Sequence, residues 1–134
     1  MKLTKRQLSV TVAALFFAAA PAFAAKPLLI GVQAPITGQY ANEGQGIADA
    51  VKLIVKQTNA KGGLLGHQLE VKVCDDQGEA APAAICARQL TNDGVLAVIG
   101  SYTSGAALAA QPIYARANII QTSDGTSDEL TSRG

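Results

Sequence analysis

Two short segments gather groups that could hold a small anion. Gly100-Ser101-Tyr102-Thr103-Ser104-Gly105 and Ser123-Asp124-Gly125-Thr126-Ser127 each follow an apolar run and mix glycine with hydroxyl side chains. Glycine lets backbone approach a ligand closely, and hydroxyls add donors that can turn toward it. The first loop also enters a helical pattern, so its free N–H groups and the positive end of the helix dipole favour a carboxylate. Candidate ligand contacts are Tyr102, Thr103 and Ser104 in the first loop, and Gly125, Thr126 and Ser127 in the second. Thr103 or Ser104 also suits a helix cap, a role that uses one N–H and leaves others free. Thr126 or Ser127 could likewise cap a segment opening at Asp128 and Glu129.

Other chemistries lack their parts. There is no G-x-S-x-G elbow, no Walker loop and no dinucleotide fingerprint, because Gly44-Gln45-Gly46 does not form the required turn pattern. His67 is the sole histidine and sits in a turn at the opposite, amino-terminal edge of the predicted sheet. Asp75 and Asp76 end a strand pattern; without further ligands they read as a helix-opening turn and a salt-bridge partner rather than a metal site. Neither catalytic residues, a metal nor a cofactor is expected.

The elements that must position the loops alternate strand and helix. The first strand is read at Pro27 to Ala34, followed by a helix from about Gly44 to Asn59 with Ile47, Val51, Ile54, Val55 and Thr58 at helical spacing. A second strand, Gln68 to Asp75, leads to a helix over Ala80 to Asp93 whose inward residues are Ala83, Cys86, Ala87 and Leu90. Val95 to Gly100 reads as a strand buried on both faces, then a helix from Ser104 to Arg116 that Pro112 should break or kink. Ile119 to Thr122 is the fourth strand. Alternation of this kind predicts an α/β fold, a parallel sheet with helices on both faces and right-handed crossovers. The expected strand order is 2-1-3-4, with a ligand crevice at the switch point between strands one and three, lined by Pro35 to Tyr40 and by Gly100 to Ser104.

Residues 1 to 24 have the makeup of a cleavable export signal: Lys2, Lys5 and Arg6, an apolar run from Leu8 to Ala20, and Ala22-Phe23-Ala24 at the cleavage point. The run is shorter than the ~20 residues of a membrane span. Cleavage would release the remaining residues, 25 to 134, into a periplasm. Of the 11 basic residues three lie in the leader, and all 10 acids lie beyond it, so the remainder carries 8 − 10 = −2. That charge gives no basis for binding nucleic acid or an anionic membrane surface. Cys74 and Cys86 are the only cysteines, and after export they are open to two states, a disulfide or two buried thiols. A bridge closing so short a loop would contribute about 3 kcal/mol in the chain-entropy account.

Five motifs occur in order: P-I-T-G at Pro35 to Gly38, N-A-K-G-G-L-L-G at Asn59 to Gly66, D-D-Q at Asp75 to Gln77, V-I-G at Val98 to Gly100, and D-E-L-T-S-R-G at Asp128 to Gly134. Together they resemble the Leu/Ile/Val-binding family of type I periplasmic binding proteins, the receptors of branched-chain amino acid ABC importers. The resemblance implies a two-lobed receptor without catalysis that hands a small amino acid or related polar solute to an ABC permease. It implies that the first lobe grips the α-carboxylate through Ser104 and through Gly125, Thr126 and Ser127. It also implies that residues 25 to 134 are the amino-terminal lobe of a longer protein whose second lobe is absent here. A ligand-sensing module of a receptor or amide-responsive regulator shares this fold and is the alternative.

Overall fold

The computed structural model describes residues 25–132; the leader read at residues 1 to 24 lies outside them. Four strands, β1 (Leu28–Ala34), β2 (Leu69–Asp75), β3 (Ala97–Ile99) and β4 (Ile120–Thr122), alternate with α1 (Ala41–Ala60), α2 (Ala80–Asp93), α3 (Ser104–Arg116) and the short α4 (Glu129–Ser132). The sheet runs β2-β1-β3-β4 and every pair is parallel. Register aligns Val32 with Val73 and Ile99, and Ile99 with Thr122. The carboxyl ends of β1, β3 and β4 therefore finish side by side.

Side-chain alternation along β1 sets up two cores. On one face Val32 and Ala34 pack with Ala48, Val51 and Val55 of α1. On the other, Leu90 of α2, Val98 of β3, and Ala110 and Tyr114 of α3 form a second cluster against which Leu29 packs. One helix on one face and two on the other is the layout that right-handed crossovers impose on this strand order. No helix among the described residues is long and apolar enough to cross a membrane.

The structure corrects several boundaries. Helix α1 begins at Ala41, one turn before the expected Gly44, and Ile54 is exposed rather than inward. Position 54 lies off the arc that Gly44, Ala48, Val51 and Val55 bury. β3 is three residues long, because Val95 and Leu96 approach the sheet before regular pairing begins and Leu96 stays exposed. Pro112 does not break α3, which continues to Arg116. A proline removes one helical hydrogen bond, but burial of Ala106, Ala107, Ala110 and Tyr114 along one side holds the helix together.

Cys74 and Cys86 form a disulfide with Cα atoms 5.6 Å apart, so of the two states the bridge is the one found. It fastens the end of β2 to the buried side of α2. Asn59 fastens the other end of that strand: its amide accepts from the Leu69 N–H and donates to the Leu69 carbonyl, both at 2.8 Å. His67 lies away from the loops, its Nδ1 2.9 Å from the Lys26 carbonyl.

Candidate functional site

Site geometry begins with Gly100, which leaves β3 with φ at +112°, where a side chain is strained; a Cβ there would also run into the Gln33 carbonyl. Glycine thus lets the β3 exit press against β1, and the chain turns at once into the loop ahead of α3. Thr103 caps α3, its Oγ1 accepting from the Ala106 N–H at 3.4 Å, and donates to the Gly78 carbonyl at 2.8 Å. The cap is therefore Thr103, which frees Ser104. The first helical amides, Ser104 and Gly105, lie ahead of any intrahelical acceptor and face outward from the helix end.

Ser104 joins the two loops. Its Oγ accepts from the Thr126 N–H at 3.1 Å and the Ser127 N–H at 3.2 Å, and its own hydroxyl proton remains available to an acceptor. Gly125 lies against it: a Cβ on Gly125 would stand 3.1 Å from the Ser104 Cα and 2.6 Å from Leu130. Ser123 closes the second loop by donating to the Ser101 carbonyl at 2.8 Å and accepting from the Gly125 N–H at 2.9 Å. Ser127 also accepts from the Glu129 N–H at 3.4 Å, so it caps α4 as well.

A cavity of about 300 Å³ opens at this junction, lined by Tyr40, Tyr102, Thr103, Ser104 and residues 124 to 126. That is the lower end of the usual size for a small-molecule site, ~300 to 1,000 Å³. Tyr40 and Tyr102 stand across its mouth with ring centroids 5.4 Å apart at 50°. All six residues singled out in sequence meet here; Tyr102, Thr103, Ser104, Gly125 and Thr126 line the cavity, and Ser127 faces Ser104 from behind. Of the crevice walls expected at Pro35 to Tyr40 and at Gly100 to Ser104, Tyr40, Tyr102, Thr103 and Ser104 line this cavity and the remaining residues do not; Asp124 lines it without having been singled out. Tyr40 was legible as the end of the first strand's loop, whereas Asp124, alone among hydroxyls, gave no sign of direction. A second cavity of about 310 Å³, beside β4 and α4, is walled by Gln111, Ile119, Leu130 and neighbours rather than by convergent loop amides.

The two adjacent acids part company. Asp75 accepts from the N–H groups of Ile36 and Gln77, both at 2.9 Å, and from the Thr37 hydroxyl at 2.6 Å, fixing the loop after β1. Burial pushes its carboxyl upward, but the Thr37 hydroxyl and the Gln77, Thr37 and Ile36 amides together outweigh this and hold it below the ordinary 3.8. Asp76 is fully buried. Neither makes the ion pair expected from sequence, since among the described residues the ion pair found is Lys52–Asp49 on the α1 surface. Backbone amides and hydroxyls, joined for Asp76 by the Gln33 side-chain amide, satisfy both carboxylates instead. No group of acids, cysteines or histidine able to hold a metal occurs among the described residues.

Residues 27–133 match the family model described as periplasmic binding protein. The chain belongs to that family. It is 33% identical over 108 residues to the Leu/Ile/Val-binding protein BraC3 of Rhizobium johnstonii, covering 80% of this chain and 29% of that one. To the Leu/Ile/Val-binding protein homolog 2 of Brucella abortus it is 34% identical over 101 residues, 75% of this chain and 27% of the other. Among solved structures it resembles the branched-chain amino acid transporter substrate-binding protein LivJ of Streptococcus pneumoniae in complex with isoleucine. There the TM-score is 0.76 at 35% identity, over 80% of this chain and 31% of that one. It also resembles an ABC transporter solute-binding protein of Rhodopseudomonas palustris in complex with 3,4-dihydroxybenzoic acid, with TM-score 0.73 at 28% identity, covering 81% and 30%. By their names the two curated relatives are Leu/Ile/Val-binding proteins and the two solved ones are substrate- or solute-binding proteins of transporters. The chain spans under a third of the length of each.

Proposed function

We propose that this chain is the carboxylate-gripping first lobe of an exported amino-acid receptor that serves an ABC permease, with a branched-chain amino acid as its first candidate ligand. The observation that carries the reading is the Ser104 hydroxyl, set at the open end of α3 and joined to the amides of Thr126 and Ser127 at the mouth of the crevice. An arriving carboxylate would accept the Ser104 proton and the free amides of the α3 turn, and could draw the Thr126 and Ser127 amides from Ser104 to itself. Isoleucine and 3,4-dihydroxybenzoic acid, the ligands of two similar proteins, differ in every part except a carboxylic acid. That shared group is what the chemistry of these loops suits. The side chain and ammonium are left to the second lobe that the reading assigns to the longer protein, and the leader at residues 1 to 24 accounts for periplasmic delivery.

Titration of the ¹⁵N-labelled chain with leucine tests this. Expected are saturable amide shifts confined to residues 102–105 and 124–127, present with leucine, absent with leucinamide, and weakened about tenfold by Ser104→Ala through loss of a hydrogen bond to a charged group. Equal responses to leucine and leucinamide, or shifts centred on the cavity beside β4, would overturn the reading.

A further inference from the structure

Beneath the ligand loops lies a buried polar cluster that the binding chemistry does not itself use. Gln33, Asp76 and Ser101 are each fully buried, and Tyr114 is 1% exposed. They come from four separate segments: β1, the residue just past β2, the loop after β3, and the far part of α3. Asp76 Oδ2 accepts from the Ser101 hydroxyl in a short contact and from Gln33 Nε2 at 3.3 Å. Gln33 Nε2 also donates to Ser101 Oγ at 2.9 Å, and Gln33 Oε1 accepts from the Tyr114 hydroxyl at 2.6 Å. The second Asp76 oxygen accepts from the Gly78 N–H at 3.0 Å. The Gly78 carbonyl in turn receives the Thr103 hydroxyl.

A carboxylate buried without a cation needs several donors, and a cluster that supplies them specifies one arrangement of the chain, because any displacement leaves a polar group unpaired. Here the donors are placed unevenly. Asp76 holds the ligand loop at two points, Ser101 directly and Thr103 through the Gly78 turn, and these points flank Tyr102 and immediately precede Ser104. Burying a hydroxyl-bearing residue at position 101 costs desolvation that an alanine would avoid. Its partner in Asp76 supplies the reason for it.

We infer that Asp76 is the positioning residue of the Gly100–Gly105 loop: it touches no ligand, and through Ser101 and the Gly78–Thr103 bond it sets where Ser104 and the amides of the α3 turn stand. The inference rests on the proposed function for what the loop does, but not for how the loop is held.

The test therefore has two readouts on the same chain: amide hydrogen exchange without ligand, and the leucine titration. Asp76→Asn keeps the size and loses the charge; Ser101→Ala removes the first contact alone; Tyr114→Phe removes only the bond to Gln33. Expected in Asp76→Asn is exchange faster by about tenfold or more at residues 101–105, with β1 and α1 amides unchanged and leucine binding weakened by a similar factor. Ser101→Ala should show the same local pattern more weakly, and the double variant should lose less than the two single losses combined, since both act on one contact. Tyr114→Phe should leave loop exchange near the wild-type rate. Loop exchange within about twofold of wild type in both Asp76→Asn and Ser101→Ala, or acceleration spread evenly over the sheet, would overturn the inference. Should Asp76→Asn not fold, Ser101→Ala decides by the same criterion. A wild-type chain that ignores leucine while its variants show the local loss would sink the proposed function and leave the positioning role standing.

Discussion

Asp75 and Asp76 are neighbours in sequence, yet strand alternation sends one to the loop after β1 and the other into the interior. The first is stabilised as an anion by hydrogen bonds, and its consequence is a pH dependence with a definite sign. A carboxyl whose folded-state affinity for protons lies below the ordinary 3.8 contributes stability that is fully present above that value and is lost as pH falls through the lower folded value. Asp75→Asn should therefore shrink the gap between the stabilities at pH 6 and pH 3, and cost about 1 to 2 kcal/mol at neutral pH by loosening the Ile36–Thr37 turn. Denaturant melts at the two pH values measure it. An unchanged gap would mean that the contacts to Thr37 and the three amides do not favour the charged form. Ser104 is the contrasting case: its partners are amides of a neighbouring loop, so its loss should register in ligand response far more than in melting temperature.

At the scale of elements, helix α2 carries much of the load on its face of the sheet. Leu90 is 1% exposed at the centre of a cluster with Val95, Val98 and Tyr114. Leu90→Ala should cost about 2 to 5 kcal/mol, and in a chain this small such a loss would lower the melting temperature by ten degrees or more. A drop of only a degree or two would show that the neighbours close around the cavity. Sequence periodicity identified this helix to the residue, Ala80 to Asp93, because Gly94 adopts a left-handed conformation that ends it and the inward stripe is unambiguous. The same logic placed strand order and both loops. It failed where packing overrules local preference: Ile54 faces water and β3 pairs over three residues only, whereas α3 keeps its expected bounds without breaking at Pro112. The buried cluster of Gln33, Asp76, Ser101 and Tyr114 was illegible, since its hydrogen-bonded pairs are 25 to 81 residues apart in sequence and each residue alone reads as an ordinary polar one. Ser104 and its loop were legible because a hydroxyl-rich turn between strand and helix is a local pattern.

For the molecule as a whole, the crevice has one wall among the described residues. Donors at an open cleft exchange solvent for ligand with little net gain, so on the proposed reading loops that would hold a carboxylate firmly in an enclosed site would hold it weakly here. Equilibrium dialysis of the chain with labelled leucine should show no retention at micromolar ligand, in keeping with a dissociation constant of about 1 mM or weaker and ~4 kcal/mol of binding. Firm micromolar retention would mean that one wall suffices and would remove the need for a second lobe.

The paired rings at the mouth have an optical consequence. The sequence contains no tryptophan and only three tyrosines, and its phenylalanines all fall within the first 23 residues. Intrinsic emission of the described part therefore comes from Tyr40 and Tyr102 at the crevice and from Tyr114, which stays bonded to Gln33 in the interior. A solute that parts the two outer rings would change the quantum yield of those two chromophores against a constant third, giving an occupancy signal without any attached dye.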